Sequence, residues 1–130
     1  MFGGGETELQ LTDESNLLES GVEIIACPPG KRPQNITQLS GGERTLVAIA
    51  LLFAMFKIKP SPFCVMDEVD AALDESNVLR FTNLIRKYVH QTQFVIITHN
   101  KRTMETADVI YGVTMEQAGV SKIVSAKFSD

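Results

Sequence analysis

The feature that most constrains the fold of this chain is a short apolar run that ends in two acids. Residues 63–66 carry no charged side chain, and Asp67 and Glu68 follow them directly. A short unbroken apolar run is typical of a strand that is buried on both faces of a parallel sheet. An acid that ends such a strand lies at the carboxyl edge of the sheet, where ligands of these folds bind. The run therefore predicts an α/β fold with a binding site at that edge.

A helix is predicted to begin at Ser40. Ser40 and Glu43 form an S-x-x-E capping box, in which each side chain bonds a free amide of the first turn. The residues up to Phe56 are apolar on nearly every face, so we expect this helix to be buried on most sides. Gly41 and Gly42 leave the first amides open to close approach, and a helix N-terminus attracts phosphate. A plain capping box with a tight entry is the alternative interpretation.

The other predicted elements alternate between strands and helices. This alternation indicates an α/β sandwich around a largely parallel sheet, closed by a C-terminal hairpin with Gly119 in its turn. The predicted strands are residues 7–11, which should be half-buried, 22–26, 94–98, 109–114 and 122–128. One further helix is predicted at residues 101–107. Another should be capped by Asp74 or Ser76 and carry an apolar stripe of Val78, Phe81, Leu84, Ile85 and Val89.

Composition is that of a soluble, single-domain protein of 130 residues. The net charge of −4 gives no general attraction to nucleic acid, so a DNA contact must be local or lie elsewhere. The longest apolar run, residues 46–56, is shorter than the ~20 residues that cross a bilayer, which predicts no membrane partner. Cys27 and Cys64 form neither a metal-type pair nor a disulfide framework, which fits reduced thiols in the cytoplasm.

The acidic pair fits metal-assisted chemistry on a nucleotide. In P-loop NTPases the acid that ends this strand holds Mg²⁺, while a phosphate-binding loop supplies a Lys and a Ser or Thr. Glu68 points differently from Asp67 and can orient or deprotonate an attacking water. The alternative is that both acids merely end a strand and solvate a turn. The apolar residues before them and residues 70–74 (DAALD) after them favour the site.

The phosphate-binding loop that would complete such a site, G-x-x-x-x-G-K-[ST], is absent from the sequence. The nearest candidate, Gly30-Lys31, is followed by Arg32 and has no glycine five positions earlier. His99 follows a predicted strand and would face the same edge as Asp67, where it can donate a hydrogen bond or a proton to a phosphate. A turn or capping role is the alternative for a lone histidine. The chain therefore contains half of a nucleotide site.

Together these motifs resemble those of ABC-type ATPases. Residues 39–43 are similar to the signature motif, residues 63–68 to a Walker B strand with its catalytic glutamate, residues 70–74 to the D-loop and residues 97–100 to the switch-histidine segment. Essentially the whole chain resembles the C-terminal head segment of bacterial structural-maintenance-of-chromosomes (SMC) proteins. The most specific matches are residues 3–5, 28–31, 59–63, 67–74 and 98–105.

The resemblance implies an α/β fold that is the C-terminal lobe of an ABC-type P-loop NTPase head. Residues 1–130 would form the C-terminal half of the head ATPase domain. In this family the head is assembled from the two ends of a long polypeptide, joined through a coiled coil and a hinge, and the N-terminal end brings the Walker A loop. The abrupt opening at residues 1–5 is accordingly expected to be a cut from a longer chain.

The resemblance also implies ATP and Mg²⁺ as cofactors and assigns roles to single residues. Asp67 would help to hold Mg²⁺, and Glu68 would position the hydrolytic water. His99 would contact the γ-phosphate from within its own head. The residues assigned to nucleotide binding are Ser40, Gly41 and Gly42, which would bind the γ-phosphate held by a second head, and Asp74 of the D-loop. ATP would therefore join two heads, and its cleavage would release them.

The implied partners are an N-terminal head lobe, a second head, a kleisin-type subunit and DNA through the full complex. The implied setting is the cytoplasm, in association with the nucleoid, with a role in chromosome condensation and segregation. Two alternatives remain open. The isolated chain would serve only as a docking lobe for a kleisin, or it would be the head half of a DNA-repair split ABC ATPase. The latter class shares the signature and Walker B strand but not residues 59–63 or 98–103.

Overall fold

The computed structural model describes residues 4–128, so Gly3 of the predicted glycine string lies outside the described residues. The elements in chain order are β1 (Glu6–Leu11), β2 (Val22–Cys27), β3 (Gln34–Asn35), a 3₁₀ helix (Ile36–Gln38), α1 (Gly41–Ile58), β4 (Phe63–Asp67), α2 (Glu75–Tyr88), β5 (Gln93–Ile97), α3 (Lys101–Met104), β6 (Val109–Gln117) and β7 (Val120–Lys127). Within the described residues, no helix is long and apolar enough to cross a membrane.

The strands form three separate sheets. β4 and β5 pair in parallel, with Phe63 opposite Gln93 and Asp67 opposite Ile97. β1, β2 and β3 form an antiparallel sheet, and β6 and β7 form the predicted C-terminal hairpin. The α/β class is thereby confirmed, and among the described strands the parallel part of the fold is the β4–β5 pair.

The predicted helices are present, with differences at their ends. α1 begins after Ser40 as predicted, and Asp74 rather than Ser76 caps α2. Val89 was predicted on the apolar stripe of α2, but it follows the last turn and is exposed. α3 is shorter than predicted because the chain tightens after Met104. The Thr106 amide there bonds the Thr103 carbonyl, three residues back, at 3.1 Å.

The C-terminal hairpin is longer than predicted on both sides of its turn. β6 continues to Gln117, and β7 already begins at Val120. Gly119 lies in the turn as predicted, with a φ of +80° that glycine adopts without steric cost. The pairing register shifts between Thr114 and Gln117, so the last part of β6 is irregular.

The main core lies between the two long helices and one face of the β4–β5 pair. Phe53 is its aromatic centre, with ring centroids 5.7 Å from Phe56 and 5.1 Å from Tyr88. Phe81, Leu84 and Ile85 of the apolar stripe of α2 pack here, because residues three or four positions apart share one face of a helix. The buried members of this core are Ile49, Phe53, Phe56, Met66, Phe81 and Ile85.

The opposite face of the β4–β5 pair is uncovered, which corrects the expectation that this strand is buried on both faces. Met66 is 3% exposed, whereas its neighbour Val65 is 59% exposed. Successive strand residues point to opposite faces, and the helices of this chain cover only one of them. We call the open face the bare sheet face; it consists of Phe63, Val65, Val95 and Ile97. α1 contributes to two cores, with Phe53 in one and Val47 in the other, and it has one open side, where Met55 and Ile58 are exposed.

The N-terminal sheet has a smaller core of its own, formed by Ala26, Leu39 and Val47. β1 was predicted to be half-buried, but every residue of this strand is exposed. The prediction was wrong because β1 is an edge strand, paired with β2 alone among the described strands, and its residues remain open to solvent. The sequence patterns also gave no prediction for β3 or the 3₁₀ helix. The N-x-x-Q capping box of Asn35 and Gln38 is the signal that would have found that helix.

Candidate functional site

The carboxyl end of β4 presents the predicted acidic pair. Asp67 is the last residue of the strand and is exposed. The Glu68 amide still continues the parallel pairing, donating to the Ile97 carbonyl at 2.9 Å. Glu68 then turns the chain with a φ of +47°, a left-handed conformation that is unfavourable for a residue with a Cβ. The chain therefore changes direction between the two neighbouring acids.

His99 lies at the same edge, two residues beyond the end of β5. Its Nδ1 atom is 3.7 Å from Oε1 of Glu68. Both side chains are open to solvent, at 76% exposed for His99 and 61% for Glu68. At this separation no other group fits between the imidazole and the carboxylate, but both side chains are open to a group that binds from the solvent side. The structure thus brings Glu68 and His99 together next to Asp67.

Ser40 begins α1 with the predicted capping box. Glu43 Oε2 accepts from the Ser40 amide at 3.2 Å and from its hydroxyl at 2.9 Å, and the Glu43 amide donates to Ser40 Oγ at 3.4 Å. The Lys31 ammonium lies 2.7 Å from Glu43 Oε1 and lowers the pKa of Glu43, and the bonds from Ser40 lower it further. Lys31, which had no predicted role, therefore links the loop between β2 and β3 to the start of α1.

The two glycines after Ser40 face different surroundings. A Cβ added to Gly42 would lie 3.0 Å from the Ala72 carbonyl oxygen, tighter than ordinary packing. A Cβ added to Gly41 would have no neighbour within 4 Å. Gly42 therefore lets the helix start approach the D-loop segment, residues 70–74, while Gly41 keeps the outer side of the first turn open.

A shallow pocket of about 370 Å³ joins the helix start to the D-loop segment. Ser40, Gly42 and Asp74 line it, together with Arg80 from α2. Asp74 caps α2 by accepting from the Asn77 amide at 2.8 Å. That bond, followed by one from the Ser76 hydroxyl, lowers the pKa of Asp74. The structure thus brings Ser40, Gly42 and Asp74 to one concave surface.

The predicted site residues therefore form two groups. Asp67, Glu68 and His99 lie at the β4–β5 edge, and Ser40, Gly41, Gly42 and Asp74 lie around the pocket at the start of α1. Among the described residues, no hydrogen bond or ion pair joins a side chain of one group to a side chain of the other. Each group offers one kind of chemistry, acid and base at the sheet edge and open amides at the helix start.

Asp67 is the candidate ligand for Mg²⁺. Within the described residues, no group of three or more His, Cys, Asp or Glu side chains could hold a metal ion. Mg²⁺ bound with a nucleotide commonly takes one or two carboxylates and completes its shell with phosphate oxygens and water. An exposed acid at a strand end fits that kind of shared site and does not fit a site built from protein ligands alone.

Sequence reasoning assigned no separate role to Asp70, which is buried and accepts bonds from Thr98 and Thr103. An acid between apolar residues in the D-loop segment was the available signal. Its two partners lie 28 and 33 residues away in sequence, so no local pattern connects them.

Known proteins share the sequence and the fold described above. A family model described as the RecF/RecN/SMC N terminal domain matches residues 9–122. The chromosome partition protein Smc of Bacillus subtilis (strain 168) is 62% identical over all 130 residues. The match covers 11% of that relative, so the chain spans about a tenth of its length.

Two solved structures superpose on nearly the whole chain, and both are 43% identical to it. One comes from work on the ATP-driven dimerization and DNA stimulated activation of SMC ATPases, with a TM-score of 0.83 over 96% of this chain and 75% of that one. The other is an Smc head bound to the C-winged helix domain of ScpA, with a TM-score of 0.85 over 97% of this chain and 38% of that one. The matched family model, the whole-chain identity to a bacterial Smc and the fold of SMC heads agree, and the chain belongs to the SMC ATPase family.

Proposed function

We propose that this chain is the C-terminal lobe of an ATP-hydrolysing SMC head and that two such heads hold ATP between them. The observation that carries the proposal is the division of the site into two groups. Glu68 and His99 lie 3.7 Å apart at the sheet edge, while Ser40 and Gly42 open a separate pocket with Asp74. Each half-site of one lobe would be completed by the complementary half-site of another head.

At the sheet edge, the proposed roles follow from the chemistry of the side chains. Asp67 would hold Mg²⁺, which neutralises charge on the phosphates when it is bound. Glu68 would orient a water and accept its proton, and His99 would donate a hydrogen bond to the γ-phosphate. The left-handed turn at Glu68 gives this carboxylate a direction different from that of Asp67. The two acids can therefore act on different atoms.

At the pocket, the open amides of α1 would receive the γ-phosphate carried by the second head. The first amides of a helix have no carbonyl partner within the helix, and they carry a partial positive charge. Gly41 leaves the outer side of this turn free of side-chain atoms. Ser40 can exchange its bond to Glu43 for one to phosphate, since its hydroxyl is exposed. Hydrolysis would then require both heads, because neither group is sufficient alone.

A separate Walker A lobe would complete each head. This sequence has no G-x-x-x-x-G-K-[ST] loop, and such loops supply most of the groups that grip the triphosphate. The bare sheet face supports the same proposal, because four exposed apolar side chains grouped on one surface are typical of a site where another protein segment packs. The resemblance to SMC heads implies that this lobe would be the N-terminal end of the same long polypeptide.

We expect this chain alone to bind MgATP no more tightly than millimolar. Asp67 and Glu68 repel a triphosphate unless a metal intervenes, and no lysine from a phosphate loop offsets that repulsion. Adding the N-terminal head segment as a second polypeptide should restore solubility and nucleotide binding together, because it also covers the bare sheet face. Isothermal titration calorimetry measures the affinity for MgATP of the chain alone, of the added segment alone and of their mixture.

The matched control for this experiment is Asp67→Asn in the mixture, which removes one metal-ligand charge without changing the size of the side chain. It should weaken binding in Mg²⁺ more than in EDTA. Micromolar binding by the purified chain alone would contradict the proposal, since it would require a complete site within these 130 residues.

Docking of a kleisin subunit is the second candidate function, and it is compatible with the first. An Smc head of the same fold is bound to the C-winged helix domain of ScpA. The C-terminal hairpin of this chain exposes large apolar side chains on both strands, including Tyr111, Val113 and Ile123. We propose that this hairpin receives a kleisin C-terminal domain, and through it the full complex that acts on DNA and segregates chromosomes.

Replacing Ile123 by Lys should abolish capture of a ScpA-type C-terminal domain in a pull-down, because a charge would enter an apolar contact. Leu18→Lys is the control, since Leu18 is also apolar and exposed, at 98% against 69% for Ile123, but lies outside the hairpin. Equal capture by the wild type and the Ile123 variant would exclude the hairpin as the docking surface.

A further inference from the structure

One buried carboxylate lies between the two turns that carry Glu68 and His99. Asp70 is 2% exposed, and among the described residues it is the one charged side chain that is fully buried. Its Oδ2 atom accepts from the Thr98 hydroxyl at 2.7 Å and from the Thr103 hydroxyl. Thr103 lies in α3 and is itself buried. Asp70 therefore bonds residues on both sides of His99 in sequence.

The bonds to Asp70 also fix the backbone next to His99. A threonine hydroxyl has a single proton, so Thr98, in donating to Asp70, presents its lone pairs in a fixed direction. The Asn100 amide donates to that oxygen at 2.9 Å, and the Asn100 side chain caps α3 by accepting from the Arg102 amide at 3.0 Å. Thr98 and Asn100, the residues on either side of His99, are thus fixed by a series of hydrogen bonds that ends at Asp70.

The same residue is tied to the Glu68 turn. The Ala71 amide donates to the Glu68 carbonyl at 3.1 Å, and the Leu73 amide donates to the Asp70 carbonyl at 3.1 Å. Asp70 therefore lies inside the tight turn that begins at Glu68. The side chains of Glu68 and His99 are mostly exposed, so their separation depends on how these two backbone turns are held.

We propose that Asp70 is a positioning residue that sets the separation of His99 from Glu68 by bonding Thr98 and Thr103, an inference that rests on the proposed function. A buried charge is costly unless it is fully hydrogen-bonded, and packing alone would be served by an apolar residue. Charge-assisted bonds are shorter and stronger than neutral ones, which suits a fixed geometry. The Arg102–Glu75 ion pair also joins α3 to α2, but it is largely exposed and therefore stabilises the position of α3 only weakly.

Thr103→Val in the complete head tests this inference, because it removes one donor to Asp70 and keeps the shape of the side chain. We expect the Glu68–His99 separation in a crystal structure to increase beyond direct contact. We also expect kcat for ATP hydrolysis to fall by about tenfold, with the Kd for ATP unchanged. Thr103→Ser should restore both. Thr82→Val is the matched control, since Thr82 is equally buried but donates to the Leu79 carbonyl inside α2.

A double-mutant cycle separates positioning from a general loss of stability. If Asp70 and Thr103 act through His99, Thr103→Val should lower kcat no further in a His99→Ala background. Asp70→Asn, which keeps the shape and weakens both bonds, should behave in the same way. An unchanged Glu68–His99 separation in both variants would overturn the positioning role. A larger separation with full turnover would support that role and would instead contradict the proposed part of Glu68 and His99 in hydrolysis.

Discussion

Replacing Glu68 by Gln is expected to leave ATP binding by the complete head intact and to slow hydrolysis by about 10²–10⁴-fold, the usual contribution of a positioned general base. The amide can still orient a water, but it cannot accept the proton of that water. Binding should persist because the proposed metal ligand, Asp67, and the helix start at Ser40 are unchanged. ATP-bound head dimers should therefore accumulate.

The backbone at Glu68 makes Gln the appropriate replacement. Glu68 adopts a φ of +47°, and Gln has the same size and the same Cβ, so the conformational cost of that turn is the same in both proteins. The Glu68–His99 separation of 3.7 Å is also open to Gln, whose amide can approach an imidazole. A loss of turnover would therefore reflect lost basicity and not a rearranged turn.

Phosphate release and ATP-dependent dimerisation are the two measurements. Glu105→Gln is the control, because it makes the same chemical change at an exposed position beyond α3. Near-normal turnover in the Glu68 variant would remove Glu68 from the role of base and leave that role to another group at the sheet edge.

Local sequence patterns predicted the elements that depend on a few neighbouring residues. The capping box at Ser40, the acidic end of β4 and the turn at Gly119 are all present because each is determined within about four residues of chain. The exposure of β1 and of the bare sheet face was not predictable in this way. Burial depends on which elements reach a surface, and an apolar strand has the same pattern whether or not its second face is covered by another segment.

The candidate site shows the same limit. Asp67, Glu68 and His99 were assigned to one edge because parallel strands place their carboxyl ends together, and the structure brings them there. The role of Asp70 was not predicted, because its bonds to Thr98 and Thr103 join segments about thirty residues apart. Its burial becomes apparent only after the D-loop segment and α3 have been placed against each other.

Replacing Ser40 by Arg is expected to leave ATP binding to a single head intact and to prevent ATP-dependent engagement of two heads. The long side chain would begin at the pocket that Ser40 and Gly42 share with Asp74, where the second head's phosphate is proposed to enter. The change would also remove the two bonds of the Ser40 hydroxyl, one donated to Glu43 Oε2 and one accepted from the Glu43 amide, and loss of such a cap costs about 1 kcal/mol of stability. Loss of the cap alone is a small effect, so steric exclusion should dominate.

Two controls separate these contributions. Ser40→Ala removes the cap and the hydroxyl proposed to bond phosphate without adding bulk, and it should lower the melting temperature slightly while dimers still form at a reduced yield. Ser121→Arg adds the same cation at an exposed position on β7 and should change neither property. Light scattering in a Glu68→Gln background measures the dimers, since the slow hydrolysis expected there lets them accumulate. If the Ser40→Arg head dimerises as well as the Ser40→Ala head, Ser40 does not face a partner's nucleotide, and the proposed division of the site between two heads is wrong.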